Sequence, residues 1–129
     1  MSAQPSNVTL LPSAVRAATQ TLVATANQGW GAAIFYLTTT VGAAAETLQL
    51  VIDAQDPASL AFVVWATFPV TAAAFVGTKA YHLSSGAIET VAATDVEVQA
   101  LALPGRFRVR LVHSAAGSWT YSLGASYLV

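Results

Sequence analysis

The chain has 129 residues, a length that suits one domain with a core of its own. Hydrophobic residues make up 55% and charged residues only 9%, where a soluble domain carries about 25% charged, so the surface is built largely from Ala, Thr, Ser, Gln and Gly and suits burial in an assembly. The net charge of −1 argues against a nucleic-acid partner, and the absence of cysteine excludes disulfides and thiolate metal sites.

Met1 to Pro12 has neither a basic n-region nor a long apolar run, so no signal peptide is expected. Residues 1–12 are expected to form a short N-terminal arm, and residues 13–129 a single β-sandwich domain. Val8 to Leu11 reads as a short strand ended by Pro12, and Arg16 to Thr25 as a second. Asn27-Gln28-Gly29 marks a turn. Ala32 to Val41 is a strand of apolar and Thr residues. Thr47 to Ala54 alternates, with Leu48, Leu50 and Ile52 on one face and Gln49, Val51 and Asp53 on the other.

Asp53 to Pro57 is a turn, and Leu60 to Phe68 the next strand. Both faces of that strand are apolar, so a central position is expected. The uncharged run from Pro57 to Thr78 is long enough to span a bilayer, but Pro69 and its β-branched and aromatic residues favour strands, and no membrane partner is expected. Val76 to Leu83 is a further strand. Ala87 to Leu103 reads either as a loop with a short strand at Val96 to Val98 or as a short helix. Arg106 to His113 alternates cleanly, Phe107, Val109 and Leu111 opposite Arg106, Arg108 and Arg110. Ser118 to Val129 follows a turn and is expected to form a hairpin with it. The sum is an all-β, antiparallel β-sandwich, jelly-roll-like or Ig-like, of about eight strands.

Chemistry is sparse. Asp53 and Asp56 flank a turn, where carboxylates cap backbone N–H groups, and the segment lacks the oxygen density of a calcium loop. His82 and His113 have no serine or carboxylate at a recognisable spacing, so no catalytic residue, metal site or cofactor is expected and the chain is not expected to be an enzyme. The candidate interface is the basic stripe of Arg106, Arg108 and Arg110 together with Trp30, Trp119 and Tyr121. The stripe suits docking on an acidic neighbour or a solvated, cross-strand-paired face. Asp95 and Glu97 form a smaller acidic pair. The aromatics suit core packing or, if exposed, a sugar platform; Trp119 and Tyr121, after a polar turn, are expected to be the most exposed.

Val8-Thr9-Leu10-Leu11-Pro12-Ser13-Ala14-Val15-Arg16, the strand and turn from Leu48 to Pro57, and the tail Arg106-Phe107-Arg108-Val109 followed by Trp119-Thr120-Tyr121-Ser122-Leu123-Gly124 resemble small virion proteins of tailed bacteriophages, of the head decoration or cement type. That resemblance implies a β-sandwich on the capsid surface that binds the major capsid protein and stabilises the shell. It also implies a homo-oligomer, a trimer among the options. A tail or connector subunit, or a carbohydrate-binding adhesion module of a tail, are the alternatives. Ser84 to Leu103 and Gly29 to Tyr36 depart from the pattern.

Overall fold

Period-two alternation builds the two strands that organise the molecule. In β9 (Arg106–His113) the side chains of Phe107, Val109, Leu111 and His113 are buried. In β10 (Trp119–Leu128) those of Trp119, Tyr121, Leu123, Ala125 and Tyr127 are buried. Each strand therefore has one apolar face, and the two faces meet across a sandwich. The ring of Phe107 meets that of Tyr127 edge-on at 5.8 Å, which fixes the contact between the layers.

The computed structural model describes residues 5–86 and 95–129. The remaining strands are β1 (Ser6–Arg16), β2 (Gln20–Thr21), β3 (Thr25–Ala26), β4 (Ala32–Val41), β5 (Leu48–Gln55), β6 (Phe62–Thr67), β7 (Gly77–Ser84) and β8 (Val96–Gln99). One sheet runs β1-β10-β4-β7-β8. The other runs β2-β9-β5-β6, with β3 also pairing with β9. Between them lie Phe35, Leu37, Leu48, Leu50, Ile52, Phe68, Tyr81 and Leu83, all fully buried. Each of the Leu, Ile and Phe side chains among them contributes about 1.5–3 kcal/mol by leaving water, against the chain entropy that folding costs.

The all-β sandwich expected from the sequence is present, with ten strands where about eight were expected. One of the two extra arises because the expected strand from Arg16 to Thr25 divides into the short β2 and β3, and the other is β8. The sandwich is not purely antiparallel, because β7 and β8 pair in parallel, Ala80 with Val96 through Leu83 with Gln99. Of the stretch left open between loop and helix, Val96–Gln99 is strand, while residues 87–94 lie outside the described residues.

Four further expectations change. The last two strands do not form a hairpin: β9 and β10 belong to different sheets, and residues 114–118 cross between them, because both strands bury one face in the shared core. From Ser6 onward, the segment expected as an arm lies in β1, paired with β10 from Ser6 opposite Tyr127 to Arg16 opposite Trp119. Pro12 does not end that strand. It sits where the register shifts between Leu11 and Ala14 on a sheet edge, the setting in which a residue without an N–H is tolerated. Finally, β6 is an edge strand and not a central one.

Candidate functional site

The basic stripe occupies the outer face of the β2-β9-β5-β6 sheet. Register sets Asp53 of β5 directly opposite Arg108 of β9, with Arg110 opposite the neighbouring Val51. Asp53 is on the outer face yet its side chain is only 2% exposed, because the two arginines lie over it. Arg108 Nε donates to Asp53 Oδ2 at 2.7 Å. Arg110 Nε donates to the same oxygen at 2.6 Å and its Nη2 to Oδ1 at 2.9 Å. Burial by itself would raise the Asp53 carboxyl, but the hydrogen bonds from Arg110 and Arg108 outweigh it and hold the carboxyl below the usual carboxylate range. The same carboxylate raises the pKa of Arg110.

The stripe continues to both sides. The Arg108 guanidinium stacks over the Phe62 ring of β6 at 3.7 Å, and Arg106 Nε donates to Gln55 Oε1 at 2.7 Å. All three arginines thus share a face, as the alternation requires, but each is engaged within its own sheet. The arrangement is a cross-strand clamp that ties β9 to β5 and β6, with one carboxylate between two cations.

The aromatic candidates separate. Trp119 and Tyr121 are fully buried, contrary to the exposure expected of them, because the inward face of β10 carries every odd residue from 119 to 127. Trp30 stacks on Tyr127 at 4.4 Å with planes 13° apart, at the margin of the core. Trp65 is the tryptophan that faces outward; its Nε1 donates to the Ala102 carbonyl at 2.7 Å. Alternation does not single it out, because both faces of its strand are apolar.

Several titratable groups elsewhere also have partners. Asp56 caps the turn before β6, accepting from the Ala58 N–H at 3.0 Å and the Ser59 hydroxyl at 2.7 Å. Lys79 lies 3.4 Å from Glu97. His113 Nε2 and the Tyr121 hydroxyl share a 2.7 Å hydrogen bond inside the sandwich, while the Arg16 guanidinium lies 4.9 Å from the Tyr121 ring centre. Burial lowers the His113 pKa, and the positive charge of Arg16 adds to that, against a smaller opposing effect of Glu46 than of burial. Burial pushes the Tyr121 phenol up to about 12. Among the described residues no three His, Cys, Asp or Glu side chains gather as a metal site would require, and no helix is long and apolar enough to cross a membrane. An open groove of about 260 Å³ lies between the sheet edges, lined by Leu10, Leu22, Thr25, Val109 and Tyr127 among others.

No family model matches the chain, and no curated protein does. Among solved structures the chain is similar to one in the structure of infectious bursal disease virus Gx strain, with a TM-score of 0.50 and 12% identity. The similarity covers 95% of this chain and 31% of that one, so the chain spans about a third of its neighbour's length. What is shared at that identity is the β-sandwich fold.

Proposed function

We propose that the chain is a virion structural protein that decorates and stabilises a bacteriophage capsid through contacts with the major capsid protein and with its own copies. The observation that carries this reading is the surface around β6. Residues 57–78 contain no charged side chain; Leu60, Val63, Val64 and Trp65 stand exposed in and just before β6, and Val70 and Val76 are exposed further along the same stretch. An uncharged apolar patch of this kind marks a surface that is covered in use. The sandwich shared with a chain from a virus structure supports the same reading, as does the resemblance of its strands to phage decoration proteins.

The reading is of a non-enzymatic protein. Asp53, Lys79 and His113 are spent on internal partners, as a scaffold would spend them. The carbohydrate-binding alternative is the weaker reading, because Trp119 and Tyr121 lie in the core and only Trp65 and Tyr36 of the large aromatics stand exposed among the described residues. Immunogold labelling of purified phage that encodes this chain tests the proposal. Label on head facets is the expected result. Label confined to tails, or absent from particles, would discard it.

A further inference from the structure

A sandwich has four lateral edges, and an edge strand offers unpaired N–H and C=O groups to any other strand that meets it. Proteins guard such edges by keeping them short, charged, bulged or broken by proline. Three edges of this molecule are guarded in those ways. β2 and β3 have two residues each. β8 has four and carries Glu97. β1 is long, but it contains Pro12 and ends in an arginine, Arg16.

The fourth edge is β6, and among the described residues it has none of these devices on its outer side. Its six residues, Phe62-Val63-Val64-Trp65-Ala66-Thr67, include no charge and no proline. Asp56 and Lys79 are the nearest charged residues in sequence. Val63 is 61% exposed, Val64 57% and Trp65 41%. The segment after β8 braces one end, where Gln99 Nε2 donates to the Thr67 carbonyl at 3.4 Å and Ala102 receives the Trp65 indole N–H. Phe62 to Val64 remains the open stretch. Its irregular pairing with β5, where Trp65 is skipped between Val64 and Ala66, lies on the inner side and leaves the outer side available.

We infer that β6 pairs antiparallel with β6 of a second copy about a twofold axis, joining two β2-β9-β5-β6 sheets into one. The occupant follows from the chemistry of the edge. Only an extended strand satisfies a ladder of main-chain groups, and only an uncharged apolar strand meets this one without burying an unpaired charge. The chain's other edges are too short, or carry charge or proline, whereas β6 is its own complement, as a twofold contact requires. Side chains of Val63, Val64 and Trp65 from both copies then cover one another. This contact deepens the proposed self-association, but it holds whether or not the particle is a phage.

The absence of cysteine makes the test clean, since an introduced thiol can form a disulfide only between copies. Cysteine is placed singly at Val63, Val64, Trp65 and, as a control on the far side of the molecule, at the exposed Val23. Residues beside a twofold axis face their own mates at Cα distances of about 4.5–5.5 Å, within disulfide reach. The expected result is near-complete disulfide dimer at one or two adjacent β6 positions and none with Val23→Cys. In light scattering, the unmodified chain is expected at twice its 13.3 kDa mass, and Val64→Lys to weaken dimerisation at least tenfold with an unchanged circular dichroism spectrum. A monomer at about 0.1 mM, where even weak specific contacts populate, would overturn the inference. So would a dimer indifferent to Val64→Lys, or equal cross-linking at Val23→Cys. If Val64→Lys fails to fold, the cross-linking pattern decides. A chain that stays monomeric and still labels capsids would overturn the pairing and leave the virion role standing.

Discussion

Arg110 grips Asp53 with two hydrogen bonds, at 2.6 and 2.9 Å, across the ladder between β9 and β5. Arg108 adds a third from the residue directly opposite. Removing the carboxylate leaves two partly covered cations facing each other with nothing between them. Asp53→Ala is expected to cost about 2–3 kcal/mol, less than a fully buried pair would, because both arginines remain about a quarter exposed. Urea unfolding of the two proteins measures it.

The same carboxylate sets an acid limit. Its pKa is depressed in the folded state, so the stability it contributes is present above the unfolded carboxyl's pKa and is lost as pH falls through the folded value. Unfolding midpoints taken downward from pH 5 are expected to fall in the unmodified chain. Asp53→Asn is expected to show a flatter slope over that range.

His113 acts at milder pH. Its folded pKa lies below the ordinary value of about 6.5, so the unfolded chain binds the proton first and stability falls as pH drops below about 6.5. Its Nδ1 is buried with no hydrogen-bond partner, so a proton added there has nothing to donate to. The midpoint is expected to decrease between pH 7 and pH 5, and His113→Gln to suppress that decrease. Tyr121→Phe, which removes the shared hydrogen bond, is expected to cost about 1 kcal/mol.

Trp119 distinguishes a core from a platform. Trp119→Ala is expected to cost about 3–5 kcal/mol in urea unfolding, as removal of a fully buried ring does. A change within about 0.5 kcal/mol would mean an exposed ring.

The N-terminal segment gives a fourth contrast. Deleting residues 1–11 removes the pairing of Ser6 to Leu11 with β10 and the half-buried and buried contacts of Leu10 and Leu11. A free arm could be removed at no cost, whereas this deletion is expected to destabilise the fold by about 2–4 kcal/mol and to promote association through the bared β10 edge.

Much of this architecture is legible in the residues. Alternation in Arg106–His113 and Leu48–Gln55 places Phe107, Val109, Leu111, Leu48, Leu50 and Ile52 inward and the arginines and Asp53 outward, because a strand has one period and one buried face. What alternation does not carry is strand order. β6 has two apolar faces, which fits a central strand or an edge that another chain covers, and the pattern is the same for both. A short turn between β9 and β10 fits a hairpin or a crossing between sheets, and the pairing of β9 with β5 and of β10 with β4 separates them. Tyr121 follows a polar turn, yet its neighbours on both sides, β1 and β4, enclose it. The Asp53–Arg110 clamp was half legible: the stripe was visible, while its carboxylate, read as a turn residue, lies one strand away in space and dozens of residues away in sequence.

The most direct measurement of the proposed role is co-sedimentation of the purified chain with tailless capsids that lack it, prepared from a phage that encodes it. Saturable binding, at a copy number tied to the symmetry of the shell, is the result expected of a decoration protein. No binding to capsids, with the chain pelleting only on tailed particles, would contradict that account.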